Sequence, residues 1–185
     1  MDIPARILRA AQELMATKGL VQWTVDDLAK QAGISKRTLY RYFASKDEII
    51  EEVINIFMAG LTAQVNSLLE KNSSPVEVMT NMAGHVFTYG QNIFSKEGLE
   101  DLKDSYPHLW QKIDDFRSAK ITSVIKHFSS SEQHTIIKEL DEQILVTVLI
   151  AIIQSVVNPT YLTQNNISFA YAIEQLRKLL LQILE

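Results

Sequence analysis

The chain has no cysteine, which excludes a disulfide framework and a thiolate metal site. That agrees with a reducing compartment, and a cytoplasmic protein is expected. Long apolar runs are also missing. The longest, Ile144 to Val157, spans 14 residues and is interrupted by Thr147, Gln154 and Ser155, short of the roughly 18 residues a membrane span needs. The N-terminus shows no charged-then-apolar signal pattern and enters a helical period by Ile3. No stretch alternates with the period of a strand, and there is no internal repeat or low-complexity tract. His-Glu-x-x-His, a phosphate-cradling glycine loop and Gly-x-Ser-x-Gly are all absent. His108, His127 and His134 are scattered, and Asp114-Asp115 reads as a solvated helix face. The expectation is no catalytic residue, no cofactor, no metal and no enzyme.

What is present is apolar material in a helical period. The 185 residues are 46% hydrophobic, enough for a large core. Asp2 to Thr17 carries Ile3, Ile7, Leu8, Ala11, Leu14 and Met15 on one face, and Lys18-Gly19 ends it. Ser45 to about Lys71 forms a long helix striped by Ile49, Val53, Phe57, Leu61, Val65 and Leu68, about 35–40 Å from end to end. Asn72-Ser73-Ser74-Pro75 breaks the chain, and Ser74, Pro75 and Glu77 start a helix running to about Phe94. Its interior Gly84 and Gly90 serve either close helix crossing or the open space of a pocket. Ser95–Lys103 reads as a short helix and Pro107–Phe128 as a longer one. Another short piece is expected over Glu132–Lys138. Asp141 to Val157 is the most hydrophobic helix, Asn158-Pro159 stops it, and Pro159 to Ile167 reads as a loop. Ser168 caps the last helix. The fold class is all-α, with about nine helices.

The net charge of −4 is unevenly spread: residues 1–47 carry +3 and residues 48–185 carry −7. Such a basic head on an acidic body directs a polyanion to one end. The basic end contains WTVDDLAKQAGISKRTLYRYFASKD, Trp23 to Asp47. Thr24 caps a first helix with Asp27 at its third position, and Gly33 breaks that helix after Gln31-Ala32. Ser35 caps a second helix, Lys36 to Tyr42, and Ser45 to Glu48 forms a capping box for the long helix. Two short helices about a glycine turn follow the helix-turn-helix plan. The second carries Lys36, Arg37, Thr38, Tyr40, Arg41 and Tyr42 and no acid, the composition of a groove-reading helix. Leu28, Ile34, Leu39 and Phe43 are expected to form the core beneath it.

The run Gly19 to Ile50 resembles the N-terminal DNA-binding region of the TetR family of bacterial transcriptional regulators. Ala32-Gly33-Ile34-Ser35, Thr38-Leu39-Tyr40-Arg41-Tyr42-Phe43 and Ser45-Lys46-Asp47 carry the likeness, which covers about the first fifty residues. It implies an N-terminal three-helix DNA-binding domain, 1–47, and a C-terminal helical effector-binding and dimerisation domain, 48–185. It also implies a homodimeric repressor on a palindromic duplex operator, released by a small effector, and phosphate contacts from Tyr40, Tyr42 and Lys46. From chemistry alone, Lys36 and Arg37 suit guanine O6 and N7, Thr38 a thymine methyl or a phosphate, and Arg41 either role. Thr24 suits a phosphate as well as its cap.

Phe57, Met58, Met82, His85, Phe87, Tyr89, Phe94, Trp110 and Phe116, with Gln91 and Asn92, suit a largely apolar effector pocket; the plain alternative is ordinary core. A lone helix-turn-helix makes few phosphate contacts, so two copies are expected. Leu145, Leu149, Ile152, Ile153, Val156, Ile173, Leu176, Leu180 and Ile183 supply the apolar faces for a four-helix interface; the alternative is monomer core. Two other readings stay open: an all-helical dimeric scaffold without DNA binding, and a regulator that activates or needs no small ligand.

Overall fold

A computed structural model of the chain describes residues 2–90, 96–130 and 140–184. Among the described residues there are ten α-helices and no strand. They are α1 Ile3–Lys18, α2 Val25–Ala32, α3 Lys36–Tyr40, α4 Lys46–Glu70, α5 Pro75–Gly90, α6 Lys96–Ser105, α7 Pro107–Ser129, α8 Glu142–Val156, α9 Pro159–Gln164 and α10 Phe169–Leu184. The short helix expected over Glu132–Lys138, and the end of α5 expected at Phe94, lie outside the described residues.

The start signals behave as the sequence predicts at most positions. Thr24 and Asp27 form a reciprocal capping box on α2, and Ser74 and Glu77 form another on α5. At α4 the box is incomplete. Ser45 Oγ accepts from the Glu48 N–H, but Glu48 reaches back one residue further, to the Ala44 N–H. Helix α3 stops at Tyr40, two residues early, because Arg41 and Tyr42 donate to Thr38 and Leu39, three residues back. This tighter winding turns Phe43 into the core. The expected loop after α8 is instead the helix α9. Asn158 Oδ1 accepts from Thr160 N–H at 2.9 Å, and Pro159 starts the helix rather than merely ending α8.

Helix α4 is the axis of the molecule, about 37 Å long at 1.5 Å per residue. It packs against α1, α5 and α7. One hydrophobic cluster runs from Ile7, Leu14, Leu28, Leu39 and Trp23 through Ile50, Ile54 and Phe57 to Leu102, Leu109 and Leu176. A second joins Leu61, Val65 and Val78 to Ile121, Ile125, Phe128, Leu145 and Leu149. Helix α10 packs on α5, and α8 on α7. Glycine has one tight use here: a Cβ at Gly60 would stand 3.1 Å from the His85 ring. At Gly84 a Cβ would meet nothing within 4 Å, so close helix crossing does not explain that glycine.

Candidate nucleic-acid interface and effector cavity

The turn between α2 and α3 is fixed by backbone chemistry. Gly33 adopts the left-handed conformation, φ 62° and ψ 42°, which a side chain would disfavour. Its N–H donates to Lys30 O, and Ile34 N–H to Ala29 O, the double closure of a Schellman motif. Arg6, from α1, donates to the carbonyls of Ala32 and Gly33. A cation thus satisfies the negative end of α2, a role with no signature in the sequence.

On this frame α3 buries Leu39 and turns Lys36, Arg37 and Tyr40 outward, with Arg41 and Tyr42 exposed just beyond it. Thr38 is half-buried, its hydroxyl 2.9 Å from Ser35 Oγ. Lys36 lies 2.7 Å from Asp26 on the surface. The Arg41 guanidinium donates to the Tyr42 hydroxyl at 3.2 Å and sits 5.1 Å from its ring centre. The exposed surface of Lys36 to Tyr42 is therefore cationic and hydroxyl-bearing.

Two residues read as phosphate contacts have internal duties as well. Lys46 Nζ donates to Val21 O and Trp23 O, each at 2.6 Å, and lies 4.5 Å from the Trp23 ring centre. Burial lowers its pKa below the usual lysine value. Two of three ammonium donors are occupied, leaving one for an outside acceptor. Thr24 Oγ1 donates to Asp27 Oδ2 at 2.9 Å while accepting from the Asp27 N–H.

Asp27 also lies 2.9 Å from Lys18. The backbone N–H of Thr24, then Lys18 and the Thr24 hydroxyl, hold its pKa at about 2, below the ordinary 3.8. The ionised form is thus favoured on folding. Its stabilisation is complete above the ordinary value and is lost as pH falls through the folded one. Asp27→Asn is expected to melt lower than the parent at pH 6, and the gap should close towards pH 2. Melting temperatures across that range check it; a gap that stays constant rejects the role.

Helix α4 is tied to the start of α7 at two points. The Tyr106 hydroxyl donates to Asp47 Oδ1 at 2.9 Å, and burial, then this bond, raises the Tyr106 pKa to about 12. One turn further, Lys112 donates to Glu51 at 2.6 Å. The carboxylates of Asp47 and Glu51 are four residues apart, on one face of α4.

Deeper in the body is a cavity of about 160 Å³ bounded by α4, α5, α6, α7, α8 and α10. Of the residues read as pocket lining, Phe57, Met82, Trp110 and Phe116 border it. His85 and Tyr89 border instead an open groove with Gln12, Val53 and Gly60, and Phe57 borders both. Met58 is buried core and borders neither. The Phe87 side chain, Gln91, Asn92 and Phe94 lie outside the described residues. Sequence reasoning missed Arg117, Lys120 and Arg177 at the cavity. A signal existed: 113, 117, 120 and 124 form one helical stripe, so two cations interrupt an apolar face. Asp114 is likewise no solvated-face acid. It pairs with Arg117 and accepts from Gln154 at 2.6 Å.

At the C-terminus, Leu145, Leu149 and Leu176 are buried within the chain itself. Ile152, Ile153, Val156 and Ile173 are half-buried against the same core, and the side chains of Leu180 and Ile183 lie outside the described part. The outward apolar residues are others: Ile144 is 65% exposed, Val148 46%, Tyr171 57% and Leu179 43%.

Residues 7–53 match the family model described as bacterial regulatory proteins, tetR family. The chain is similar to the HTH-type transcriptional regulator YvaF of Bacillus subtilis, 28% identical over 84% of this chain and 82% of that protein. It is also similar to the HTH-type transcriptional repressor KstR2 of Mycolicibacterium smegmatis. There it is 36% identical over 41% of this chain and 37% of that one. Among solved structures, a TerR/AcrR-family transcriptional regulator from Aquifex aeolicus matches with a TM-score of 0.68 and 23% identity. That match covers 98% of this chain and 99% of its own. These similar proteins are regulators of transcription rather than enzymes, and no helix among the described residues is long and apolar enough to cross a membrane. With its capped helix-turn-helix and acid-free second helix, the chain carries over residues 7–53 the DNA-binding region of bacterial regulatory proteins of the tetR family, and it is a DNA-binding transcriptional regulator.

Proposed function

We propose that this regulator acts as a homodimeric repressor on a palindromic operator and is released when a small molecule enters the cavity. The observation that carries the reading is the outward surface of Lys36, Arg37, Tyr40 and Arg41 on a helix fixed by Gly33, Arg6 and Lys46. Lys36 and Arg37, at the start of the reading helix, meet base edges; Tyr40, Tyr42 and the remaining donor of Lys46 meet phosphates. Thr38 and Arg41 take contacts at the rim. Thr24 reaches a phosphate once its hydroxyl leaves Asp27.

Residues 1–47 form the reading unit and residues 48–185 the unit that senses and pairs. The exposed apolar positions Ile144, Val148, Tyr171 and Leu179 favour a two-fold interface of α8 and α10. The apolar lining of the cavity favours an effector with a hydrophobic body. Release follows if the effector prefers the head separation that does not fit the operator. Such a regulator works in the cytoplasm, where its DNA is.

Selection of duplexes from the genomic DNA flanking its gene tests the reading. A palindrome with half-sites one or more helical turns apart is the expected product. Enrichment of no palindromic sequence would reject it.

A further inference from the structure

The cavity is apolar along most of its wall, with Leu61, Met79, Val86 and Ile153 among its borders, yet Arg117, Lys120 and Arg177 border it and, among the described residues, no acidic side chain does. Two of these cations have acidic partners. Arg117 pairs with Asp114, and Arg177 donates to both carboxylate oxygens of Glu174 at 2.8 Å. Among the described residues Lys120 has no acidic partner; its ammonium lies 5.8 Å from the Phe116 ring centre. The Arg117 Nε–H is shielded from solvent and has no acceptor. Its neighbour Asp114 cannot easily turn to serve it, because one oxygen meets the Arg117 terminal nitrogen and the other holds Gln154. A buried donor without an acceptor is unfavourable until one reaches it.

We propose that the cavity takes an anionic amphiphile: an acyl chain of medium length in the apolar part, its anionic group received by Lys120, the Arg117 Nε–H and Arg177. This deepens the effector reading above and rests on it. A neutral apolar ligand would leave Arg117 Nε–H and Lys120 uncompensated, and a cationic one would face the unpaired positive charge of Lys120. The volume sets the length. A dry cavity of about 150 Å³ holds a six-carbon ring, so a chain of about that size fits the space as it stands. Phe57, which borders both the cavity and the groove beside His85, is the wall that must turn for a longer one. The anion is either a free carboxylate or the phosphates of a carrier thioester; both present acceptor oxygens at the end of an acyl chain.

The test is calorimetric titration of the full chain, free of DNA, with octanoate, octanoyl-coenzyme A, octan-1-ol and octylamine. At least one of the two anions is expected to bind tenfold or more tightly than the alcohol, and the amine more weakly still. Which anion leads identifies the source of the charge. Lys120→Gln and Arg177→Gln should each cut the preference for the anion over octanol by about tenfold. Octanol affinity and melting temperature should stay close to the parent values, which guards against a folding defect. Equal binding of alcohol, amine and anion overturns the proposal. So does an unchanged preference in both variants, or no binding by any of the four. Failure of the repressor reading is separable: a chain that prefers the anion but keeps its operator in the anion's presence leaves this inference standing and rejects release. Operator binding without any anion preference rejects this inference alone.

Discussion

Replacing Ile144 and Val148 together by glutamate is expected to leave a folded monomer that has lost about 100-fold or more in affinity for a two-half-site duplex. Both side chains are largely exposed in the protomer, at 65% and 46%, and exposed substitutions change stability by only about 0.5 kcal/mol. Across a two-fold axis the same face meets itself. Four new carboxylates would then be buried without partners, at a cost of several kcal/mol, which exceeds what two small apolar contacts contribute. Loss of the second head removes the gain from linking two sites, about 10²–10⁴ in affinity. Leu149→Ala is the matching control. Leu149 is buried against α7 in the protomer itself, so its truncation is expected to cost about 2–5 kcal/mol of folding stability. Sedimentation at micromolar concentration reads the first variant and thermal or urea unfolding the second. A double glutamate variant that remains dimeric rejects the α8–α10 interface.

Lys46→Met is expected to damage two properties at once. Val21 O and Trp23 O each lose their ammonium donor, and hydrogen bonds to a charged group contribute about 1.5–3 kcal/mol. Lys46 is partly solvated, so the lower end applies, about 1–2 kcal/mol of stability. DNA binding is expected to weaken on every sequence alike, and the slope of log affinity against log salt to become shallower by about 1. The two measurements are independent. An unchanged melting temperature rejects the clamp on the Val21–Trp23 segment; an unchanged slope rejects the phosphate contact. If only stability falls, Lys46 serves DNA recognition solely by holding the head in shape.

Local signals in the chain were legible where one residue type does one job. Thr24, Ser35, Ser45 and Ser74 cap the helices expected of them, and Gly33 supplies the left-handed turn. Pro159 misled because proline ends one helix and begins another with the same ring constraint. The exposed cationic face of Lys36 to Tyr42 was legible because its cations lie close together in the sequence with no acid between them. The tertiary contacts were not. Arg6 on the α2 carbonyls, Lys46 on the Trp23 loop and Tyr106 on Asp47 join residues 26, 23 and 59 positions apart, and no sequence period encodes such pairs. The C-terminal helices failed for a different reason. In a helix apolar nearly all round, the side facing the protomer core and the side facing outward have the same composition. Leu145 and Ile144 cannot then be told apart without knowing where α7 lies.

The two ties between α4 and the Tyr106–Lys112 segment run in both directions. If an effector in the cavity drives the heads from DNA through Tyr106–Asp47 and Lys112–Glu51, operator binding must weaken the effector by the same factor. Regulator molecules that are off the operator are then the better sink for the small molecule. A cell holding many more copies of the protein than operators would fill that surplus first. Its genes would stay silent until the surplus was saturated. The dose at which they switch would follow the abundance of the regulator as much as its affinity.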